Sequence, residues 1–219
     1  MPPRAVIFDH DGTLVDSYEG IARCMRLTCR DLGKPEMSEE EVQGSIGPTL
    51  EARFAELWGE GAAEEAARVY RSHYEVHFIS GTRILPGVTE TLAALAERGI
   101  GMACVSNKSR GYCVRQLEHF GLMERMEVVY AAKQGLPSKP DPAMVHAALR
   151  DLGTAPEEAV LVGDTPIDVE AARAAGVAAW VVKSRYTPAE VIARARPDKV
   201  INEFREILPA LEAEGAFLS

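Results

Sequence analysis

The sequence has few of the features that mark disulfide-bonded, zinc-ribbon and membrane proteins. Its cysteines form no C-x-x-C pair, so we expect neither a disulfide framework nor a zinc ribbon, but reduced, buried thiols. They are Cys24, Cys29, Cys104 and Cys113. No stretch approaches the roughly 18 apolar residues of a membrane helix, and a strand-like run that begins at Arg4 leaves no room for a signal peptide. We therefore expect a cytoplasmic protein with no membrane partner.

Positive charge is also scarce. The sequence has 24 lysines and arginines against 33 aspartates and glutamates, which gives a formal net charge of −9, and it contains no basic tract. This balance disfavours a nucleic-acid partner, and local charges must attract any anionic substrate against the overall field. With 219 residues, of which 47% are hydrophobic, the chain can form one large domain, or one domain with a smaller insert, without a structural metal.

Short apolar runs alternate with longer stretches of helical periodicity. The runs are rich in valine, alanine and isoleucine and predict strands at 5–8, 101–105, 127–131, 159–162 and 178–182. Between them, apolar residues at three- and four-residue spacing predict helices at 88–98, 109–120, 142–151 and 167–175. This alternation is typical of an α/β fold in which helices cover both faces of a parallel sheet.

The stretch 16–80 breaks this alternation, because it contains no convincing strand and is too long for an ordinary crossover. Apolar residues on helical spacings, interrupted near Gly33, Gly47 and Gly59, predict four helices there. We therefore predict an α/β core domain formed by 1–15 and 81–219, and a small helical domain at 16–80. The connections at 13–16 and 80–83 are candidate hinges.

Two carboxylates, Asp9 and Asp11, directly follow the first predicted strand. In open α/β sheets ligands bind outside the carboxyl ends of the strands, so both acids lie where a site is expected. Carboxylates this close repel each other unless a cation or a proton neutralises one of them, and Mg²⁺ prefers such oxygen ligands. Taken alone, however, a D-x-D pair is more often a loop with two helix-capping acids.

Further polar groups follow the next three predicted strands. Ser106, with Asn107 beside it, supplies a hydroxyl after the second strand, and Lys139 supplies an ammonium group after the third. Asp164 and Asp168 supply two more carboxylates after the fourth strand. Each alone can be explained as a cap, a turn residue or a solvated charge. Placement at the ends of neighbouring strands instead favours one shared site.

Together these motifs resemble those of the haloacid dehalogenase superfamily of phosphotransferases. The D-x-D-G-T motif at 9–13, Ser106, Lys139 and the G-D-x-x-x-D motif at 163–168 follow in that family's order. The helical stretch 16–80 is similar to the family's inserted cap, so the resemblance covers essentially the whole chain. It implies a Rossmann-like parallel sheet core with an inserted α-helical cap domain.

The resemblance also implies roles for the motif residues. Asp9 would be the nucleophile that forms an aspartyl-phosphate, and Asp11 the general acid and base. These roles require different environments for the two carboxyl groups, with Asp9 ionised and Asp11 exchanging a proton near neutral pH. Ser106 and Asn107 would contact the phosphoryl oxygens, and Lys139 would neutralise the nucleophile and the charge that develops on the phosphoryl group.

Mg²⁺ is the cofactor that the resemblance implies. Asp9, the backbone carbonyl of Asp11 and Asp164 would hold the ion. Asp168 would lie in or beside the same coordination shell and pair with Lys139. Because the chain is negative overall, the ion would also supply the local positive charge that attracts an anionic substrate.

Two positions separate this chain from other branches of the superfamily. Dehalogenases carry tyrosine and phosphonatases alanine where Asp11 stands, so the carboxylate indicates transfer of a phosphate ester or anhydride. Ile21 stands where sugar-phosphate mutases typically have a histidine. The resulting prediction is a phosphatase that acts on a small phosphorylated metabolite. A pyrophosphatase, a sugar-phosphate mutase and a noncatalytic phosphate-binding module are the alternatives.

The segment 45–50 resembles the substrate-facing loop of phosphoglycolate phosphatases and of a related pyrophosphatase group, which makes 2-phosphoglycolate the first candidate substrate. Arg53, one helical turn further, is a candidate ligand for a carboxylate or second phosphate of the substrate, and Lys34, Arg23 and Arg26 are weaker candidates. The sequence leaves open the role of His10 and the choice between monomer and homodimer.

Overall fold

A six-stranded parallel sheet forms the centre of the protein, whose computed structural model describes residues 3–215. The strands of this part of the chain are β1 Ala5–Phe8, β2 Val15–Asp16, β3 Arg83–Ile84, β4 Gly101–Ser109, β5 Val128–Ala132, β6 Ala159–Gly163, β7 Ala178–Val182 and β8 Lys199–Ile201. The large sheet has the order β5-β4-β1-β6-β7-β8, and β2 pairs with β3 in an antiparallel two-stranded sheet. The predicted α/β fold with a parallel sheet is confirmed.

Helices cover both faces of this sheet. Those of the described residues are α1 Tyr18–Asp31, α2 Glu39–Gln43, α3 Leu50–Trp58, α4 Glu60–His77, α5 Val88–Glu97, α6 Arg110–His119, α7 Ala143–Leu152, α8 Pro166–Ala175, α9 Ala189–Ala195 and α10 Ile207–Ala213. Within residues 3–215, no helix combines the length and the apolar character that a membrane crossing requires.

The central strand β1 is buried on both faces, which explains its continuous apolar sequence. Val6 and Phe8 belong to the apolar cluster on one face, and Ala5 and Ile7 to the cluster on the other. All four residues have 0% exposure. Because burial of a large apolar side chain contributes about 1.5–3 kcal/mol, strands of this kind hold the two layers of helices on the sheet.

Most differences between the predicted and the observed elements lie at their ends. Strand β4 continues to Ser109, past the predicted end at 105, and β5 begins and ends one residue later than predicted. The sequence did not predict β8, α9 or α10, which have 3, 7 and 7 residues. Elements this short contain too few apolar repeats for their period to be recognised.

The strand order brings the predicted motifs to one edge of the sheet. Phe8, the last residue of β1, is paired with Cys104 of β4 on one side and with Val162 of β6 on the other. The chain therefore leaves β1, β4 and β6 at the same edge, where the topology of an open sheet creates a crevice.

The helices α1 to α4 lie between β2 and β3 and enclose an apolar cluster of their own, which includes Met25, Phe54 and Tyr70. The four helices predicted for 16–80 are present. At the base of this insert, Gly20 donates its backbone N–H to the carbonyl of Gly81 at 3.1 Å. A Cβ at Gly81 would overlap the backbone of Gly20, so the two chain segments can approach this closely only with glycine. The division into two domains stays a prediction.

Candidate active site

The loop that follows β1 places Asp9 beside the end of β6. Its backbone N–H donates to the carbonyl of Val162 at 2.9 Å, which continues the ladder of the sheet by one residue. Gly12 has φ +85°, and a Cβ there would overlap the carboxylate of Asp164. Glycine is therefore required at this position both by its backbone conformation and by the close approach of an acidic side chain.

Lys139 connects two carboxylates at the centre of the site. Its Nζ donates to Asp9 Oδ1 at 2.7 Å, to Asp168 Oδ1 at 2.6 Å and to the carbonyl of Val105 at 2.8 Å. Burial lowers the pKa of the lysine, but the two carboxylates outweigh this effect and raise it above its usual value. The predicted pairing of Lys139 with Asp168 is present, and the ammonium group is fixed in its charged form.

Asp168 has a structural and an electrostatic role at the same time. Its Oδ2 accepts from the backbone N–H and the hydroxyl of Thr165, at 3.1 and 2.7 Å, in a capping box at the start of α8. Its Oδ1 remains for Lys139. A Cβ at Gly163 would overlap this carboxylate, which explains the glycine before Asp164.

Asp164 is the unusual member of this group. The side chain is fully buried, and neither carboxylate oxygen forms a hydrogen bond of normal geometry with a described residue, although Ser184 is close enough to oppose part of the rise in its pKa. Burial raises the pKa of Asp164 well above its ordinary value, and the carboxylates of Asp168 and Asp9 add to the rise. A buried carboxylate without a partner is costly, so this position calls for a cation.

The donor set fits a hard divalent cation. Oxygens of Asp9, Asp164 and Asp168 lie within 4.8 Å of one another, and within residues 3–215 Lys139 is the one ammonium group bound to them. Three carboxylates against one ammonium group leave negative charge uncompensated in a buried place. Burial raises the pKa of Asp9 to about 6 although Lys139 opposes the rise, and a cation bound here would lower it again.

Asp11 contacts a lysine that sequence analysis missed. Lys108 donates to its two carboxylate oxygens at 2.9 and 3.0 Å and to the hydroxyl of Tyr74 at 2.7 Å. Ser17 donates to Asp11 Oδ1 at 2.5 Å. Burial alone raises the pKa of Asp11, but Lys108, His10 and Ser17 together outweigh this effect and hold the pKa below its ordinary value. The two carboxyl groups differ as expected, but without a cation the order is the reverse of the expected one.

Ser106 and Asn107 lie at the end of β4, beside Lys139. Ser106 is buried, and its Oγ accepts from the backbone N–H of Lys108 at 3.2 Å. Asn107 donates from Nδ2 to the carbonyl of Lys139 at 2.8 Å and to that of Gly47 at 2.9 Å. Both amide hydrogens are thus used, and in this structure Asn107 holds the loop of the insert against the core rather than offering a free donor to phosphate.

A cavity of about 350 Å³ opens between these residues and the insert. The core lines it with Asp9, Asp11, Ser106, Asn107 and Lys108, among others. The insert lines it with residues 45–50 and with side chains of α1, α3 and α4. The volume lies at the small end of the range for ligand pockets, so the site suits a small molecule.

A second group of charges lines the same cavity. Glu51, in the first turn of α3, pairs with Arg71 of α4 and, at 3.0 Å, with Lys133 of the core. Lys133 has φ 71°, a left-handed conformation that is uncommon for a residue with a side chain and that clusters at functional sites. Arg71 and Lys133 thus bind the carboxylate of Glu51 at the wall of the cavity.

The geometry does not support the substrate role predicted for Arg53. Its side chain is 9% exposed and does not line the cavity. The guanidinium group donates to Glu56 at 2.8 Å, to the carbonyl of Glu41 at 2.8 Å and to Ser45 Oγ at 3.2 Å. A basic side chain in a helical segment can satisfy the carbonyl at the end of a neighbouring helix, and spacing alone does not distinguish that role from ligand binding.

The weaker candidates lie elsewhere as well. Arg23, Arg26 and Lys34 line a shallow surface depression of the insert, and none of them lines the cavity beside Asp9.

His10, between the two catalytic candidates, points away from the cavity lining. Its Nε2 lies 2.8 Å from Oε1 of Gln116 in α6. Gln116 in turn donates from Nε2 to the carbonyl of Phe78 at 2.6 Å and to the hydroxyl of Thr82 at 2.8 Å. The loop of the nucleophile candidate is therefore connected, through buried hydrogen bonds, to the segment where the insert returns to the core.

Comparison with known proteins places these motifs in a family. A family model for haloacid dehalogenase-like hydrolases matches residues 6–182. A phosphoglycolate phosphatase of Rhodospirillum rubrum is 36% identical over 196 residues, which cover 84% of this chain and 81% of that protein. The plasmid phosphoglycolate phosphatase of Cupriavidus necator is 36% identical over 217 residues, which cover 96% and 94% of the two chains. A solved haloacid dehalogenase-like family protein of Streptococcus pneumoniae matches with a TM-score of 0.88 at 26% identity, over 95% of this chain and 98% of that one.

Proposed function

The chain belongs to the haloacid dehalogenase-like hydrolase family, and from that premise we propose that it is a Mg²⁺-dependent phosphatase acting on a small phosphomonoester, with 2-phosphoglycolate as the first candidate. The observation that carries the proposal is the group formed by Asp9, Lys139, Asp168 and the unpartnered Asp164, next to a small cavity. In this proposal the segment 16–80 acts as a cap domain over a core formed by 1–15 and 81–219.

Asp9 is the nucleophile in this account. One of its carboxylate oxygens attacks phosphorus, the bond from phosphorus to the ester oxygen breaks, and an aspartyl-phosphate forms. Lys139, at 2.7 Å, favours the ionised form of Asp9 that this step needs. Mg²⁺, held by Asp9, Asp164 and the backbone carbonyl of Asp11 with Asp168 in or beside its shell, would supply positive charge that offsets the repulsion between phosphate and carboxylate.

Asp11 handles the proton in both steps. In the first step it gives a proton to the leaving ester oxygen. In the second it takes a proton from the water that attacks the aspartyl-phosphate, which releases inorganic phosphate and restores Asp9. The contact with Lys108 favours the ionised form and therefore suits the second step. In the first step Asp11 must carry a proton. Lys108 therefore has to leave the Asp11 carboxylate and contact an oxygen of the bound substrate instead.

Arg71 and Lys133 are the proposed site for a second anionic group of the substrate. They bind the carboxylate of Glu51 in the cavity, and a carboxylate of the substrate has the same charge and geometry. This supports a phosphomonoester with a carboxylate, such as 2-phosphoglycolate, over a neutral sugar phosphate. The second phosphate of pyrophosphate has matching chemistry too, so a pyrophosphatase is the second candidate.

A mutase is less well supported. Ile21 lines the cavity where the sugar-phosphate mutases of this superfamily typically have a histidine, and an apolar side chain cannot exchange a proton with a sugar hydroxyl. In this proposal water, rather than a sugar hydroxyl, takes the phosphoryl group from Asp9.

The test is phosphate release from 2-phosphoglycolate, pyrophosphate, glucose 1-phosphate and p-nitrophenyl phosphate, each with Mg²⁺ and with EDTA. We expect the highest kcat/KM for 2-phosphoglycolate, and none without Mg²⁺. Lys133→Met should raise KM for 2-phosphoglycolate more than for p-nitrophenyl phosphate, which has no second anionic group. Lys199→Met, at the start of β8 and therefore at the opposite edge of the parallel sheet, is the matched control. Equal effects of Lys133→Met on both substrates would exclude the proposed subsite.

A further inference from the structure

Three side chains that the proposed phosphatase chemistry does not use meet behind the nucleophile loop. They are His10, from the loop after β1, Cys104 of β4 and Cys113 of α6. One possible ligand atom from each lies within 4.8 Å of the others, and all three residues have 0% exposure. The distance between the two sulfur atoms is 3.9 Å. His10 is more than 90 residues from the two cysteines, which are nine residues apart, and the fold brings the three together.

The hydrogen bonds of Gln116 determine which nitrogen of His10 is available. Gln116 uses its amide N–H groups for the Phe78 carbonyl and the Thr82 hydroxyl, so its Oε1 must accept from His10 Nε2. When the ring is neutral, the lone pair is therefore on Nδ1. This atom is buried and forms no hydrogen bond of normal geometry with a described residue, and the Cys113 thiol is close enough to raise the pKa of the ring. A buried acceptor without a partner is uncommon in proteins, and here it lies in the group with two sulfur atoms.

The hydrogen bond between His10 and Gln116 is also typical of histidines that bind a metal. Histidines that bind a metal through one ring nitrogen usually donate the other ring N–H to an oxygen, which fixes the tautomer and the orientation of the ring. Gln116 Oε1 provides that oxygen at 2.8 Å.

The distance between the sulfur atoms agrees with a shared cation. With Zn–S bonds of about 2.3 Å and a tetrahedral angle, two thiolates on one zinc ion lie about 3.8 Å apart. The observed 3.9 Å needs almost no adjustment. A disulfide needs about 2.05 Å, so the sulfur atoms would have to approach each other by nearly 2 Å.

We propose that His10, Cys104 and Cys113 form a binding site for one thiophilic d¹⁰ cation of the Zn²⁺ class. Nitrogen and sulfur ligands select such ions, whereas the oxygen ligands around Asp164 select hard Mg²⁺, so the chain has two metal sites of different chemistry. Binding displaces the thiol protons of both cysteines into solvent. Because His10 lies between Asp9 and Asp11, the ion restrains the nucleophile loop from behind, and occupancy should lower turnover without competing with Mg²⁺.

Cd²⁺ is the probe that tests the site, because its bonds to thiolate absorb in the ultraviolet and its bonds to carboxylate do not. The reduced, metal-free protein is titrated with Cd²⁺ in the presence of saturating Mg²⁺. The burial of the site predicts slow uptake, so each addition is followed to completion. We expect an absorbance increase that saturates at one Cd²⁺ per chain. The increase should be lost in Cys104→Ser and Cys113→Ser and kept in Cys24→Ser, whose cysteine is buried but lies in the insert.

Gln116→Leu provides a further comparison. It removes the partner of His10 but none of the ligands, and it should weaken Cd²⁺ binding by about 10- to 100-fold without removing the absorbance. The absence of a thiolate band in the wild-type protein would overturn the proposal. So would a band that Cys24→Ser removes and Cys113→Ser keeps.

A readout on the wild-type protein keeps the test decisive if the variants fold poorly. Alkylation of the cysteines, followed by mass spectrometry, is compared with and without one equivalent of Cd²⁺. The proposal predicts that Cys104 and Cys113 are protected together, while Cys24 and Cys29 are unaffected. Equal alkylation of all four cysteines under both conditions would exclude the site. Neither readout depends on phosphatase activity, so this inference and the proposed function can fail independently.

Discussion

Replacement of Asp164 by asparagine should have opposite effects on stability with and without Mg²⁺. The carboxylate is fully buried, and neither of its oxygens forms a hydrogen bond of normal geometry with a described residue. Asparagine has nearly the same shape and carries no charge. Asparagine leaves the same atoms without partners, but an unsatisfied buried group costs about 1–3 kcal/mol when it is neutral and more when it is charged. In EDTA near neutral pH, the variant should therefore be more stable than the wild type by about 2 kcal/mol, because it buries no charge.

The sign of the pH dependence follows from the pKa of Asp164, which burial raises above its unfolded value. The folded protein then holds this proton more tightly than the unfolded chain does. Its destabilising effect is absent below the unfolded pKa and grows as the pH rises toward the folded pKa. In EDTA, the advantage of Asp164→Asn should therefore be small in acid and increase toward neutral pH.

Mg²⁺ should reverse this order. An ion at 100 times its Kd stabilises the folded state by about 2.7 kcal/mol, and the variant should lose most of that gain because it lacks a charged ligand. Urea unfolding at pH 7 measures both effects, since 2 kcal/mol corresponds to a midpoint shift of roughly 1 M at a slope of about 2 kcal/mol/M. Glu64→Gln, which removes an exposed carboxylate of α4 that has no hydrogen-bond or ion-pair partner among the described residues, is the matched control and should leave both midpoints unchanged. The reasoning is refuted if Asp164→Asn is less stable than the wild type in EDTA, or if Mg²⁺ stabilises both proteins equally.

Three further substitutions test other parts of the site. Lys108→Met removes the ammonium group that lowers the pKa of Asp11. Because Asp11 must be protonated in the first step, the basic limb of the kcat/KM profile should move to higher pH. An unchanged profile would rule out this pairing during catalysis. Gly12→Ala places a residue with a side chain at a left-handed backbone conformation and presses its Cβ against the carboxylate of Asp164. Turnover should therefore fall sharply. Near wild-type turnover would show that the loop can rearrange. Arg53→Met should destabilise the protein by about 1 kcal/mol, because a buried guanidinium group loses its hydrogen bonds to acceptors that water can reach. KM for 2-phosphoglycolate should stay unchanged, and a large rise in KM would support the predicted substrate role.

The sequence was sufficient to predict the centre of the site. Parallel strands end at one edge of a sheet, so polar residues after neighbouring strands converge whatever the details of packing. Asp9 follows β1, Lys139 follows β5, and Asp168 lies in the first turn of α8 after β6. Lys139 forms a hydrogen bond with each of the two carboxylates. The same rule could have identified Lys108, which lies two residues beyond Ser106 at the end of β4.

Other features depend on packing between elements that local spacing does not encode. Arg71 and Lys133 contact Glu51 only because the insert lies against the core. Neither the hydrophobic periodicity nor a sequence motif predicts that arrangement. The order of the pKa values of Asp9 and Asp11 was missed for the same reason, because it depends on Lys108 and on burial. Likewise, Cys104 and Cys113 have unremarkable spacing along the chain and become neighbours only when α6 packs on β4.

The most direct test of the central claim is Mg²⁺-dependent phosphate release from 2-phosphoglycolate by the wild-type protein and by Asp9→Asn, with circular dichroism to show that both are folded. The account predicts turnover by the wild type, its loss in EDTA, and a decrease of about three orders of magnitude or more in the variant, because asparagine keeps the shape of the side chain and loses its nucleophilicity. A folded Asp9→Asn protein that releases phosphate at a near wild-type rate would contradict it.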